Sequence, residues 1–472
     1  MEQSNQKLEI TPQYLESLSK SQLIELVLFL VQQIQVLEEK IALLNKNSST
    51  SSKPPSSDIV KPQKADKTEL PRKIGGQKGH TGTTHQPFSV QAVDQIEEYD
   101  IKVCSVCNQD VLPERVGNPI IHQVVEIPAK LITITEHRSY GHLCPNCHKV
   151  VYAPFPEQVI PHQLCGPRLQ ALIGYMKGNL HASYTNLSLF INDILGLEIS
   201  RSTVCNIISQ VNKALFKPYE EVKEYISNQP HLHIDETGWK DNGLAHWVWV
   251  FCTNLISFFY ISKSRASKVL EEVLGQTYKG TIISDFFSAY IKYATEFQQF
   301  CLAHLIRDIK FLTTLPDKTT QLFAQGLLLC FRHVFQIWHR KHEIPKEEYQ
   351  EQIKNIQNNL RLLLEQNSNL SPKAITMSKR LCRHWDSIFR FLFDSTISPT
   401  NNIAEQTIRA LVIDRKITQA SRSKMGKQWN ARIWTAISTC RKQNQPIWSF
   451  LQQAINAFYF NLSTPSLLPN SL

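Results

Sequence analysis

The sequence predicts a multidomain α+β protein whose carboxyl-terminal half is an α/β core with a helical insertion. Three observations support this fold class. The chain has 472 residues, more than one hydrophobic core usually serves. Adjacent β-branched and aromatic segments at 246–251 and 256–261 predict paired strands. Apolar residues at helical spacing from about 317 to 392 predict the insertion, and smaller segments precede the core.

Residues 1–45 are predicted to form a coiled-coil dimerisation helix. Leucines recur at every seventh position, with β-branched residues at the core positions between them: Leu23, Val27, Leu30, Ile34, Leu37, Ile41 and Leu44. Leucine at position d with β-branched residues at position a favours two parallel strands. A trimer and a helix packed on its own chain are the alternatives.

Residues 46–87 are rich in Ser, Pro, Lys and Gly. Such a segment cannot bury enough apolar surface to fold alone, so it is predicted to be a disordered basic linker. Its basic side chains could also follow a phosphate backbone through nonspecific contacts.

Residues 88–160 are predicted to form a zinc-binding module, because they hold two CxxC pairs in turn-forming sequences. The predicted ligands are Cys104, Cys107, Cys144 and Cys147. Four thiolates make a closed tetrahedral Zn²⁺ site, and the metal would stabilise a module with few large aliphatic residues. The segment from Val124 to Tyr140 is predicted to form a hairpin between the pairs. His142 and His148 are alternative ligands.

Residues 161–228 are predicted to form a helix-turn-helix-like domain. Helical segments are predicted at 168–179, 183–195 and 202–214. The break from Gly196 to Arg201 is typical of the turn in such a motif, and the following helix could enter a DNA major groove. A plain helical hairpin is the alternative.

Residues 229–448 are predicted to form the α/β core, in which three acids follow the order strand, strand, helix. Asp235 ends a short strand that begins near His231, and Asp285 follows the strand of residues 281–284. Glu405 falls in the first turn of a helix that an Asn can cap. This order is that of a metal-dependent nuclease with a ribonuclease H-like fold.

The chemical reason for three acids is electrostatic. Cutting or joining a phosphodiester places charge on the attacking and leaving oxygens, and two divalent cations can stabilise both. Carboxylates are the ligands that such hard cations prefer. Asp235, Asp285 and Glu405 are therefore the predicted catalytic residues and the predicted ligands of Mg²⁺ or Mn²⁺.

Basic residues follow the third acid. From Arg409 to Lys442 there are nine Lys or Arg and one acid, with Trp429 and Trp434 between them. This pattern predicts a DNA-binding stripe. The predicted DNA contacts are Arg201, Arg409, Arg415, Lys416, Arg422 and Lys424.

A Cys-x-x-His sequence lies on the helix after Asp285. Cys301 and His304 have a spacing that metal sites use, but without a neighbouring pair, packing or substrate contact is favoured over zinc. His304 and Arg307 are predicted to lie behind the carboxylates and to touch a phosphate.

Composition narrows the setting. Lys plus Arg exceed Asp plus Glu by 51 to 41, a net charge of +10 that favours a polyanionic partner. We expect a soluble, cytoplasmic protein with reduced cysteines and without a signal peptide. No membrane partner is expected, because polar residues interrupt the apolar stretch 245–261. Residues 449–472 are predicted to be a carboxyl-terminal tail.

Several motifs resemble a known family along nearly the whole chain. They are NSSTSSKPPSSD (47–58), GGQKGH (75–80), the two CxxC pairs, HIDETGW (233–239), SDFFSAY (284–290), CLAHLIRD (301–308), PTNNIAEQTIRALVIDRK (399–416) and SRS (421–423). The chain resembles bacterial insertion-sequence transposases of family sixty-six, the TnpC type. The resemblance implies a DDE site at Asp235, Asp285 and Glu405. One departure is Gln419-Ala420, where the family usually has a glycine.

The function predicted from residues and resemblance together is that of a DNA transposase, which cuts element ends and joins them to target DNA. We expect a homodimer or higher homo-oligomer, and the resemblance implies companion proteins of the same element. The alternatives are a DNA-binding regulator with an inactive core and a metal-dependent nuclease without strand transfer.

Overall fold

The computed structural model describes residues 11–47, 49–50, 86–160, 163–293, 295–365 and 370–469. The chain divides into two compact units, one of residues 1–62 and 139–472 and the other of residues 63–138. The linker predicted at 46–87 lies almost entirely outside the described residues, as do the first ten positions of the predicted coiled coil. The predicted α+β class is confirmed, because helices surround a mixed sheet.

The chain begins with the short helix α1 (Pro12–Glu16) and the long helix α2 (Lys20–Leu44). Ser19 starts α2 through a capping box, since its hydroxyl accepts from the amide of Gln22 and its amide donates to the Gln22 side chain. No side chain of α2 is buried, and the apolar heptad positions from Val27 to Leu44 are exposed, whereas Leu23 is half-buried. Pairing with a second chain stays a prediction.

Four helices form the first packed layer. They are α3 (Pro167–Asn179), α4 (Tyr184–Leu195), α5 (Arg201–Ala214) and α6 (Phe216–Ile226). The first three coincide with the helices that periodicity predicted. Gly196 ends α4 with a φ of 64°, which glycine adopts without strain, and the Ser200 hydroxyl caps α5 by accepting from Thr203.

A five-stranded mixed sheet lies at the centre of the larger unit. Its strands are β3 (His231–Asp241), β4 (Leu244–Cys252), β5 (Ser257–Ser262), β6 (Tyr278–Ser284) and β7 (Thr295–Phe300). The strand order is β5-β4-β3-β6-β7. The strand β4 runs antiparallel to its neighbours β3 and β5, and β6 and β7 run parallel to β3. The helices α7 (Lys268–Leu274) and α8 (Ser288–Lys292) precede and follow β6.

A second hydrophobic core belongs to a helical insertion. Its helices are α9 (Leu302–Leu312), α10 (Lys318–His339), α11 (Lys346–Glu365), α12 (Pro372–Arg383) and α13 (Trp385–Phe389). Leu327, Phe331 and Leu360 are buried in this core, as the apolar spacing requires. The helices from α10 onward coincide with the predicted insertion.

The chain returns to the sheet through α14 (Asn402–Thr418), α15 (Lys424–Lys442) and α16 (Ile447–Phe460). The prediction of a tail at 449–472 was wrong for most of this stretch. Phe450, Leu451 and Ile455 of α16 are buried in the same core as α3 and α5. Their helical spacing makes one apolar face, which the tail prediction overlooked.

The smaller unit has little regular structure in its described residues, 86–138. It holds one turn of 3-10 helix at Val90–Ala92 and one isolated bridge between Val103 and Asp110. The predicted hairpin of residues 124–140 is not formed there. Val124 and Ile134 remain mostly exposed, so alternating apolar residues without a surface to cover do not make strands. In the larger unit, β1 (Gly141–Leu143) pairs with β2 (Val150–Tyr152) instead.

Among the described residues, no helix combines the length and the apolar composition that a membrane crossing requires.

Candidate active site

Two of the predicted acids emerge side by side from the sheet. On the parallel strands β3 and β6, His233 pairs with Ile283. Asp235 and Asp285 each lie two residues beyond that pair, so they share one register on strands that are about 4.8 Å apart. The Asp235 carboxylate accepts from the amide of Glu236, and that of Asp285 accepts from the amide of Phe287.

Asn401 ties the helix of the third acid to the strand of the first. It is the residue before α14, but its side chain does not cap that helix. Its amide group donates to the carbonyl of Ile234 at 2.7 Å, and its side-chain oxygen accepts from Nδ1 of His233 at 3.1 Å. Burial lowers the pKa of His233 to about 4, which keeps the ring neutral. Glu405, in the first turn of α14, is thereby held near Asp235.

The three carboxylates affect one another electrostatically. Burial raises the pKa of Asp235 well above its usual value, and the charges of Glu236, Asp285 and Glu405 raise it further. Burial and the charge of Glu236 raise the pKa of Asp285 to about 6. The concentration of negative charge therefore destabilises the folded protein here. Many functional sites contain such strongly perturbed groups.

His304 and Arg307, two of the predicted site residues, lie close to the carboxylate of Glu405. The His304 Nδ1 is 3.6 Å from one Glu405 oxygen, and the Arg307 guanidinium is 3.9 Å from the other. Burial lowers the pKa of His304, so its neutral ring does not form an ion pair with Glu405 at pH 7. The Glu405 Oε1 is buried and accepts no hydrogen bond from the described residues.

Three potential metal ligands lie close together at Cys301, His304 and Glu405. Among the described residues, they are the only group of three His, Cys, Asp or Glu side chains whose ligand atoms all lie within 4.8 Å of one another. The Cys301 sulfur already accepts from the amide of Asn401 at 3.2 Å, and burial raises the pKa of its thiol to about 11. A protonated thiol that accepts a backbone hydrogen bond is suited to packing, one of the two roles that the sequence analysis favoured over zinc.

Sequence reasoning missed a fourth carboxylate with two distant partners. The side chain of Glu236 is 2% exposed and accepts from the Arg265 guanidinium at 2.7 Å and from the Tyr290 hydroxyl. The Arg265 cation lies 4.3 Å from the Trp247 ring centre and 4.1 Å from that of Phe287. Glu236 follows Asp235 directly in the sequence, but no spacing pattern links it to positions 265 and 290.

The predicted DNA contacts fall into two groups. Arg201, Arg409, Lys416, Arg422 and Lys424 are exposed. Arg409 lies one helical turn beyond Glu405 on α14, and Lys416 lies two turns further along the same face.

Arg415 differs from that expectation. It is half-buried and donates to the carbonyl of Gly238 and to the Thr237 hydroxyl, so it holds α14 against β3.

The second half of the predicted basic stripe also needs correction. Trp429 and Trp434 are 3% and 1% exposed, so they belong to the core and cannot stack on nucleic acid. The single acid, Asp414, is buried and accepts from the Trp434 ring nitrogen at 3.2 Å. Lys442 donates to carbonyls of the turn between β4 and β5. The helical spacing of α15 serves the core, which a count of charges does not reveal.

The two CxxC pairs have the same local geometry, each within its own unit. The amide of Cys104 donates to the carbonyl of Gln109, and that of Cys144 donates to the carbonyl of Lys149. Asn108 and His148 take the equivalent turn position with φ of 56° and 52°. In both pairs, amide donors lower the pKa of the first thiol, which favours the thiolate that a metal binds. The four-thiolate zinc centre stays a prediction.

Comparison with known proteins gives the family. A model described as "Transposase IS66 family" matches residues 162–429, more than half of the chain. The chain belongs to the IS66 transposase family. This confirms the resemblance that the sequence motifs indicated. A second model, a family of unknown function, matches residues 4–86.

Two relatives of this IS66-family chain come from Sinorhizobium fredii (strain NBRC 101917 / NGR234). The uncharacterized protein y4hP is 22% identical over 404 residues, which cover 76% of this chain and 72% of the relative. The uncharacterized protein y4jD is 23% identical over 366 residues, which cover 70% and 69%.

The departure from the family pattern has a structural counterpart. Gln419 and Ala420 have φ angles of 60° and 71°, in the left-handed region that favours glycine. They turn the chain so that Ser421 pairs with the end of β3, where its hydroxyl accepts from the ring nitrogen of Trp239. The IS66-family glycine would fit this turn without strain.

Proposed function

We propose that this protein is a DDE transposase, which cuts the ends of a mobile DNA element and joins them to target DNA. Asp235, Asp285 and Glu405 are the proposed catalytic residues. One observation carries the proposal. Asp235 and Asp285 share a register at the ends of neighbouring parallel strands, and Asn401 fixes the Glu405 helix to one of them.

The sheet supports a ribonuclease H-like core. Three antiparallel strands followed by two parallel strands, in the order β5-β4-β3-β6-β7, place the first acid on the central strand and the second beside it. The third acid comes from a helix after the insertion. This is the strand, strand, helix order that the sequence predicted.

The donor set fits a hard divalent cation. Asp235 and Asp285 have raised pKa values because they are buried together, and a bound cation would relieve that cost. The buried Glu405 Oε1 accepts no hydrogen bond from the described residues, so its lone pairs remain available to a cation. Mg²⁺ or Mn²⁺ held by the three carboxylates would supply charge stabilisation to the phosphodiester oxygens.

The surrounding residues position these ligands. Arg307 and His304 face the two Glu405 oxygens and limit its side-chain freedom. Glu236 accepts hydrogen bonds from Arg265 and Tyr290, which hold its carboxyl group beside the two aspartates. We assign to Glu236 a positioning role, because its carboxylate oxygens already have donors.

DNA would approach along the exposed basic face of α14. Arg409 and Lys416 extend this face away from Glu405, and Arg201 lies exposed at the start of α5. Lys and Arg on such a face would contact phosphates and give salt-dependent binding.

A second copy of the chain is the proposed partner of α2, because its heptad positions are apolar and exposed. Leu30→Glu together with Ile34→Glu should convert dimers to monomers in light scattering, whereas the outward-facing Gln32→Glu should not. Monomeric wild-type protein would contradict this assignment.

The catalytic proposal is tested with the full chain and DNA carrying the terminal repeats of its element. With Mg²⁺, the wild-type protein should cut at the repeat end and join the freed 3′ end to target DNA. Glu405→Gln should lower both rates at least about a thousandfold while leaving DNA binding intact, because a metal ligand is lost.

Glu296→Gln, an exposed acid on β7, is the matched control and should have no effect. Full activity in Glu405→Gln would refute its role as a ligand. Cutting without joining would favour a nuclease over a transposase.

A further inference from the structure

A cleft lies between the segment that carries Asp285 and the helices α9 and α12 of the insertion. Its volume is about 570 Å³, within the range of roughly 300–1,000 Å³ that is usual for small-molecule sites. Asp285 and His304 line it together with Lys379, Arg380 and Arg383 of α12. A catalytic acid thus faces basic residues that are about 100 positions later in the chain.

The α12 side of the cleft is fixed in place. The Arg380 guanidinium donates to the Asp308 carboxylate at 2.8 Å and lies 5.3 Å from the ring centre of Phe286. Phe286 in turn stacks on Phe300 of β7 at 4.3 Å. These contacts join α12 to the α9 helix and to the sheet, so the cleft keeps its shape without a ligand.

Two cations remain available for an anionic ligand. Lys379 and Arg383 are exposed, and within the described residues no ion pair or hydrogen bond engages their side chains. Four positions apart, they lie on one face of α12 and about 6 Å apart along its axis. One DNA strand advances about 3.4 Å per nucleotide, so the pair could span about two nucleotides.

Nearby charges favour an anion held on the α12 side. Asp308 is already paired with Arg380, and the charge of Asp285, which also lines the cleft, would be offset by its bound cation. Burial and the charges of Arg383 and Arg380 lower the pKa of His384, which leaves the two exposed cations as the charged groups that face an anion there. A phosphate next to the one being cut would therefore meet Lys379 and Arg383.

We propose that this cleft binds the single DNA strand that adjoins the reacting phosphodiester, with Lys379 and Arg383 contacting its phosphates. The inference rests on the proposed function, because it takes Asp285 to be at the reacting phosphate. It assigns to the helical insertion the role of holding the strand against the catalytic carboxylates.

The test compares two double variants of the full chain. Lys379→Ala with Arg383→Ala removes the two cleft cations, and Arg332→Ala with Lys354→Ala removes two exposed cations elsewhere on the insertion. The cleft variant should bind a single-stranded flanking oligonucleotide with a log–log salt slope smaller by about 1.4, since each phosphate contact to a single strand contributes about 0.7. Its cleavage rate should fall at least about tenfold, because the strand is misplaced.

The control variant should keep the wild-type salt slope for the cleft strand and the wild-type cleavage rate. Lys379→Arg with Arg383→Lys should restore most of both quantities, which a defect in folding would not allow. Equal melting temperatures of the double variants would also show that the substitutions do not impair folding.

Three results would overturn the inference. They are a wild-type salt slope in the cleft variant, equal losses in the control variant, and displacement of the oligonucleotide by inorganic phosphate at the same phosphate concentration. The last would identify a site for a free anion. Absence of cleavage by wild-type protein would refute the proposed function instead, and the salt slope would still decide whether the cleft binds a strand.

Discussion

The two units of the chain stabilise their chemical groups in different ways. In the larger unit, the acids lie beside strands whose inner residues, such as Trp249 and Phe251, are fully buried. In the smaller unit, Val106, Val116 and Ile120 are 92%, 94% and 101% exposed. Apolar burial is the main source of folding free energy, so it can fix the carboxylates but cannot hold the first CxxC pair. The predicted zinc would replace packing there.

The largest effect is expected from removing the predicted zinc. Purified protein should contain one Zn²⁺ per chain, and a strong chelator or Cys144→Ser should remove it. Hydrogen exchange around both CxxC pairs should then become fast, while β3 and β6 keep their protection. Cys382→Ser, an exposed cysteine outside the pairs, is the control and should leave the zinc content unchanged. Stoichiometrically metal-free protein with full protection would contradict the comparison.

Asp285→Asn tests whether burying the acids in the larger unit lowers the free energy of unfolding. Burial raises the pKa of Asp285 from 3.8, the ordinary value for an aspartate, to about 6 in the folded protein, so folding favours the protonated carboxyl group. Stability from this group is present below about pH 4 and is lost as the pH rises through about 6. In metal-free buffer at pH 8, Asp285→Asn should be more stable by up to about 3 kcal/mol.

Denaturant unfolding at pH 4 and pH 8 measures this difference, with the exposed Asp193→Asn as the control. The gain should be small at pH 4 and full at pH 8. A variant that is less stable than the wild type at pH 8 would show that the site imposes no such cost.

A smaller effect is expected for Glu236, which tests whether packing positions the ligands. Glu236→Gln should lower the cleavage rate roughly 10- to 100-fold and weaken the apparent Mg²⁺ affinity, as losses of residues behind a metal ligand do. The affinity of the protein for DNA should not change. Arg265→Lys should not restore the wild-type behaviour, because lysine lacks the planar group held between Trp247 and Phe287. An unchanged Mg²⁺ dependence would remove Glu236 from this role.

The smallest effect should come from Ala420→Gly. Its φ of 71° costs a residue with a Cβ about 1 kcal/mol, so glycine should raise the free energy of unfolding by about that amount. Ala410→Gly, in the interior of α14, should lower it by about 0.5–1 kcal/mol. Thermal unfolding of the two variants gives both signs, and a destabilised Ala420→Gly would contradict the left-handed turn.

Local patterns account for what the sequence could predict. The strand residues before Asp235 and Asp285 are apolar and β-branched, and two acids at equal distances beyond a parallel pair fall in one register. The helices from α3 to α5 and the insertion follow from apolar spacing in the same way. These features depend on residues that are close in the chain.

The rest depends on contacts between distant positions. Asn401 reads as a helix cap, but its side chain bonds β3, about 167 positions earlier. Arg415 and Trp434 read as parts of a DNA-binding surface, yet both serve packing against elements that the sequence does not place beside them. The basic wall formed by α12 was missed for the same reason, because only the fold brings Lys379 and Arg383 to Asp285.

Iron-directed cleavage of the polypeptide tests the central claim most directly. With hydrogen peroxide and ascorbate added, Fe²⁺ bound in place of Mg²⁺ reduces the peroxide to hydroxide and a hydroxyl radical, the radical cuts the backbone close to the metal ligands, and ascorbate returns the Fe³⁺ to Fe²⁺. Our account predicts three cuts, near Asp235, Asp285 and Glu405, that excess Mg²⁺ suppresses. Cuts confined to the neighbourhood of Cys301, His304 and Glu405, with none near the two aspartates, would contradict it.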